Sequence, residues 1–165
     1  MTILGIDPGL ANLGWGVITA KSEHLHMGGY GTIKTDVTHT LEERIQFLAS
    51  SCRALFQRFP IDELCIEDIY YYKNKSSVIS VAKVIGSIYY VAAVQGVPAT
   101  TYSPLQIKTT ITGFGRAEKI QVQEMVKVLL GLSEIPRPDH AADALAIAIC
   151  HYTQIEGKQR LGIYD

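Results

Sequence analysis

Asp7, Glu67, His140 and Asp143 are the residues of this 165-residue chain whose types and settings could do chemistry together. Asp7 closes the apolar run Ile3-Leu4-Gly5-Ile6 just before Pro8-Gly9, and Glu67 closes Leu64-Cys65-Ile66. Alternate side chains of an extended strand share a face, so Ile3, Gly5 and Asp7 point one way, as do Cys65 and Glu67. Each carboxylate then ends a buried segment. His140 and Asp143 are three apart in a helical pattern whose apolar seam continues through Ala144, Ile147 and Ala148, so that helix should pack where the strands end. Three carboxylates and an imidazole converging there would repel one another and raise their own pKa values unless cations were present. A divalent metal resolves the conflict. Mg²⁺ takes oxygen ligands, and two such ions about 4 Å apart suit an in-line phosphoryl displacement, which is the chemistry of a nuclease.

Each residue also has a plainer reading. Asp7 before Pro8-Gly9 could simply open a turn, one of Glu67 and Asp68 should be only solvated, and His140 could be a surface histidine. Asp139 follows Pro138 at a helix start and reads as an N-cap rather than a ligand.

The elements that must position these groups can be traced along the chain. Strands are expected at Thr2 to Asp7, Trp15 to Thr19 and Met27 to Lys34, with connections short enough for antiparallel hairpins. Thr40 begins a helical pattern with Leu41, Ile45, Leu48, Cys52, Leu55 and Phe56 on one face, stopped by Pro60; Glu43 completes a capping box with Thr40. After the strand Leu64 to Glu67, the stretch Tyr70-Tyr71-Tyr72-Lys73-Asn74-Lys75 reads as a loop, and a helix capped by Ser76 or Ser77 runs to Gln95, where Gly96 ends it. Ser80, Lys83 and Ser87 form its narrow polar stripe, so most of its circumference is apolar. It is either an interface between subunits, with Gly86 allowing close approach, or buried wholly within one subunit; the interface is the reading adopted here. A strand at Ala99 to Tyr102, a short helix opened by Ser103-Pro104, a helix from Glu118 to Leu130 and a last helix from Asp139 to about Thr153 complete a βββαβα pattern followed by a strand and helices. The class is mixed α/β.

Composition bounds the function. The chain is 47% hydrophobic and 19% charged, as a globular protein is, with one domain expected over residues 1–153 and a mobile tail over 154–165. No leader or membrane span is expected, and the odd cysteines Cys52, Cys65 and Cys150, without C-x-x-C spacing, point to reduced thiols in the cytoplasm. The net charge of −1 does not advertise nucleic-acid binding. Its distribution says more, because six bases (Lys73, Lys75, Lys83, Lys108, Arg116, Lys119) stand against the single acid Glu118 between Lys73 and Lys119. A basic surface beside an acidic pocket is expected.

Four segments, GIDPGLANLGWG, CIEDIYYYKN, GRAEKIQVQEMV and DHAADALAIAICH, resemble in order and spacing the RuvC-type Holliday junction resolvases, from Ile3 to about His151. The resemblance implies an RNase H-like fold, a mixed five-stranded sheet flanked by helices, and places the catalytic and metal-binding acids on Asp7, Glu67 and Asp143. The fourth position falls on His140, where many members have Asp; imidazole suits Mn²⁺ better than Mg²⁺, and His140 could instead serve in proton transfer. The resemblance further implies two Mg²⁺ ions, replaceable by Mn²⁺, and a homodimer that cuts opposed strands of a four-way DNA junction symmetrically to leave 5′ phosphates. Cooperation with the RuvA and RuvB branch-migration proteins is implied as well. Tyr70 falls on an aromatic position that stacks on bases near the crossover, and Lys108 and Lys119 on positions that contact the phosphate backbone. Lys73, Lys75 and Arg116 extend that surface as weaker candidates.

Two rivals stand beside this reading. Asp7 followed by glycine-rich sequence also resembles the first phosphate loop of the actin-like ATPases, but those close two such domains around a nucleotide and no other phosphate-loop motif is present. A junction-binding protein without cleavage activity is the other, suggested by His140 at a usual carboxylate position.

Overall fold

The computed structural model describes residues 1–22, 24–69 and 75–162, with the side chains of residues 75–77 left aside. Tyr70 and Lys73 therefore lie outside the described residues, as does the side chain of Lys75. The chain begins with strands β1 (Thr2–Asp7), β2 (Asn12–Lys21) and β3 (His24–Lys34) and continues through helix α1 (Leu41–Arg58), strand β4 (Glu63–Glu67) and helix α2 (Lys75–Val94). Strand β5 (Ala99–Tyr102) and helices α3 (Pro104–Thr112), α4 (Lys119–Leu129) and α5 (Asp139–Arg160) complete it. The five strands form one sheet in the order β3-β2-β1-β4-β5. β1 to β3 are antiparallel neighbours, and β4 and β5 run parallel to β1. This is the mixed five-stranded sheet flanked by helices that the sequence implied.

Alternation along the strands assigns the two faces. Leu4, Ile6, Leu13, Val17, Leu64 and Ile66 pack with α1 and α2. Ile3, Ile18 and Cys65 pack on the other face with α3, α4 and α5. Asp7 has the parity of Ile3, and Glu67 that of Cys65, so both carboxylates belong to the α5 face at the carboxyl ends of adjacent parallel strands.

Helix boundaries follow local chemistry. Glu43 N–H donates to the Thr40 hydroxyl at 3.3 Å, and Thr40 N–H to Glu43 Oε2 at 2.8 Å, closing the expected capping box of α1. Ser103 and Gln106 do the same for α3. Two expectations need correction. β2 and β3 are longer than the apolar alternation suggested, because their antiparallel ladder continues through polar residues from Asn12↔Lys34 to Lys21↔His24. α5 runs to Arg160 rather than Thr153; its last turns are sustained by backbone bonding, and by the Glu156–Arg160 pair one turn apart, without an apolar stripe to announce them.

α5 is the organising helix. Every residue from Ala144 to His151 is buried, four of them alanine or cysteine. It lies against strand backbone at positions that have no side chain: a Cβ on Gly5 would stand 2.1 Å from the Ala144 carbonyl oxygen, one on Gly14 2.0 Å from that of His140, and one on Gly16 2.8 Å from the Leu145 side chain. Further down the helix, His151 is 3% exposed. The Tyr102 hydroxyl lies 2.8 Å from its Nδ1, and Glu63 Oε2 is 3.5 Å from its Nε2. Burial pushes the His151 imidazole down to about 4.

Two outcomes follow. Gly14→Ala should destabilise the fold by about 1–3 kcal/mol or more, because backbone must shift to admit the methyl group; the thermal midpoint should fall by several degrees at roughly 2–4 °C per kcal/mol, and an unchanged midpoint would refute the close docking. His151 is neutral in the fold and protonates near 6.5 when unfolded, so acid favours unfolding. Stability should be full above pH 6.5 and decline towards pH 4, by at most about 1.4 kcal/mol per pH unit from this group. Burial raises the Glu63 carboxyl, which pulls the other way, so the measurement is the difference between wild type and His151→Gln in midpoint against pH. Parallel curves would exclude His151 as the source.

Candidate metal centre

Three elements deliver four groups to one place. Asp7 ends β1, Glu67 ends β4, and His140 and Asp143 occupy the first turns of α5. His140 Nδ1 lies 2.7 Å from Asp7 Oδ2. Ligand atoms of Asp7, His140 and Asp143 all fall within 4.8 Å of one another, forming a group that could hold a metal ion. Glu67 is outside that set. It lines a cavity of about 220 Å³ together with Asp143, Lys108 and Lys119, one strand further along the sheet.

The electrostatics are those of acids held too close together. Burial, then the charges of Asp7 and Asp143, raise Glu67 to about 7. Burial also raises Asp7, outweighing the hydrogen bond from His140. One cation already answers this charge: Lys119 Nζ lies 2.7 Å from Asp143 Oδ2 and 3.6 Å from Asp139 Oδ2. Partial burial works against the Lys119 ammonium, but its bond to Asp143 and the charges of Asp143, Asp139 and Asp7 hold its pKa above the ordinary value. Two carboxylates, an imidazole and a third carboxylate nearby make a mixed oxygen and nitrogen donor set, suited to a small divalent cation. Such an ion would relieve the repulsion that lifts Glu67, and would compete with Lys119 for Asp143.

The structure places the other expected residues unevenly. Lys108 stands in the cavity wall beside Glu67, and Arg116 is exposed on the segment between α3 and α4. Lys119 is engaged by acids. Asp139 is not a side-chain cap: Pro138 holds the N-cap position, and the Asp139 carboxylate meets Arg137 and Lys119. The spacing of four between Asp139 and Asp143 was the available signal, since residues four apart on a helix can share one cation. Sequence reasoning also passed over Gly14, whose missing side chain seats the His140 backbone.

Comparisons with known proteins agree with this architecture. Residues 3–151 match the family described as crossover junction endodeoxyribonuclease RuvC. The chain is 41% identical over 162 residues to the protein of that name from Fusobacterium nucleatum, covering 98% of this chain and 85% of that one. It is 43% identical to that of Caldanaerobacter subterraneus, covering 98% of each. The structure of Thermus thermophilus RuvC superposes with a TM-score of 0.87 at 32% identity, over 99% of this chain and 98% of that one. The same protein in complex with a Holliday junction substrate also gives 0.87, at 30% identity and the same coverage. The chain therefore belongs to the RuvC family of crossover junction endodeoxyribonucleases.

Proposed function

We propose that this chain resolves four-way DNA junctions in recombination and repair, hydrolysing one phosphodiester on each of two opposed strands and leaving 5′ phosphates. The observation that carries the reading is the cluster of Asp7, His140 and Asp143, with Glu67 beside it, at the carboxyl ends of two parallel strands. Its support from relatives is family membership and the junction complex of the Thermus thermophilus protein.

Asp7, Glu67, His140 and Asp143 would hold the divalent metal, two Mg²⁺ ions or Mn²⁺ in their place. When bound, such ions activate water and steady the leaving oxygen of an in-line displacement. The chain's own residues do the positioning. Asp7 holds the imidazole at 2.7 Å, and Lys119 Nζ donates to Asp143 Oδ2 at 2.7 Å and orients it. Lys108 extends positive charge from the cavity wall, and Arg116, Lys73 and Lys75 continue it towards the phosphates; Tyr70 supplies a ring for a base near the crossover to stack on.

The paired cuts need two copies. α2 buries Val84, Ile85, Ile88, Val91 and Ala92 in its own subunit but leaves Ile79, Ala82, Gly86, Tyr89, Tyr90, Ala93 and Val94 exposed, a second apolar stripe on the same helix. A homodimer covers that stripe, and a two-fold dimer matches a two-fold junction. RuvA and RuvB are the partners that would bring it to a migrating branch point. Among the described residues no helix is long and apolar enough to cross a membrane.

A synthetic four-way junction should be nicked in Mg²⁺ or Mn²⁺ and a linear duplex left largely intact. Asp7→Asn should reduce cutting by at least about a hundredfold with binding preserved. Wild type that binds junctions yet nicks none under either metal would leave a junction-binding protein without cleavage. Sedimentation at micromolar concentration should show a dimer. Nothing lies within 4 Å of a Cβ built on Gly86, so Gly86→Glu should fold normally, sediment as a monomer and make single rather than paired cuts. A monomeric wild type would remove the symmetric mechanism.

A further inference from the structure

Two cavities flank the metal cluster and share no lining residue. One holds Glu67, Lys108, Lys119 and Asp143. The other, about 580 Å³, is formed by residues 8–12, Arg44, Ser80, Val81 and His140. Asp143 thus faces one side of the cluster and His140 the other. A strand cut between them must carry phosphates past both sides, and Lys108 and Lys119 serve only the first.

Arg44 is built into the second side. It lies in the first turn of α1 and is half-buried. Its Nε donates to the Thr35 hydroxyl at 2.8 Å, and that hydroxyl donates to the Leu10 carbonyl oxygen at 2.6 Å. The guanidinium is therefore tied to the loop that follows Asp7, with its terminal nitrogens still to be satisfied; among the described residues no carboxylate lies within ion-pair distance of it. Arg44 also borders a separate cavity where Asp36 and Glu43 stand beside Lys34 and His39. The lining on the His140 side contains no carboxylate, so an anion meeting Arg44 is favoured there. A planar guanidinium held by its Nε presents a fork suited to phosphate oxygens.

Resting on the junction-cutting reading above, we propose that Arg44 binds a backbone phosphate of the cleaved strand on the His140 side of the metal centre, across the site from Lys108 and Lys119. Thr35 positions it. The contact fixes the register of the strand over the metal and carries no base information.

The test compares wild type, Arg44→Lys and Arg44→Gln on a synthetic four-way junction, with thermal midpoints measured alongside. Binding is measured in EDTA from 50 to 200 mM salt, and cutting in Mg²⁺. Arg44→Gln should lower the slope of log affinity against log salt by about one for each subunit engaged, whereas Arg44→Lys keeps it. Single methylphosphonates placed one at a time along the cut strand locate the contact. At one position near the cleavage point the neutral linkage should slow wild-type cutting about tenfold and leave Arg44→Gln unaffected. An Arg44→Gln protein with the wild-type salt slope, or methylphosphonate effects equal in both proteins, overturns the assignment while the nuclease reading stands. Equal losses of midpoint and binding in both variants would make Arg44 a structural tie and overturn it as well. A wild type that neither binds nor cuts junctions fells both readings.

Discussion

A helix can lie directly on strand backbone only where the strand presents no side chain, and this fold depends on that condition being met at Gly5 and Gly14. The Ala144 and His140 carbonyl oxygens occupy the space where Cβ atoms would be. With the alanines of α5 matching the missing side chains on the sheet, the first turns of the helix reach the ends of β1 and β4. A docking even one methyl group looser would lift His140 and Asp143 away from Asp7, and the hydrogen bond of 2.7 Å between His140 and Asp7 leaves no slack. Packing here sets ligand geometry before electrostatics acts.

The electrostatics then oppose the packing. Burial and proximity raise Asp7 and Glu67, so the arrangement resists its own full ionisation. Lys119 relieves only part of this, at the Asp143 end, from a position half exposed to solvent. The strain is confined to a few charged groups while the hydrophobic packing under them is complete, as in a site made ready for a cation.

Much of this was legible in the sequence because it rests on short-range rules. Parity along Ile3-Leu4-Gly5-Ile6-Asp7 and along Leu64 to Glu67 gave the common face of the two acids, and Thr40 with Glu43 gave the start of α1. Other features depend on partners distant in the chain. No local signal says that Glu67 stands one strand outside the tight Asp7, His140 and Asp143 set, since that depends on how α5 crosses the sheet. The extension of α5 past Thr153 and the polar ends of β2 and β3 are sustained by backbone bonding, which leaves no apolar period behind. Asp139 was misjudged because its partners, Lys119 and Arg137, come from other segments, one of them twenty residues away.

The two sides of the metal cluster differ in a way that bears on how the cleaved strand is held. On the Glu67 side Lys108 comes from α3 and Lys119 from α4, and Lys119 is shared with Asp143 and Asp139, so a metal on Asp143 would free its charge for DNA. On the His140 side Arg44 is tied through Thr35 to the loop after Asp7 and, among the described residues, makes no ion pair with the clustered acids. A strand seated by Arg44 would be registered before metal binds, whereas contacts through Lys119 would strengthen as metal enters. Binding of metal and of DNA would then be coupled in part through Lys119, a contribution that is lost without that ammonium and independent of Arg44.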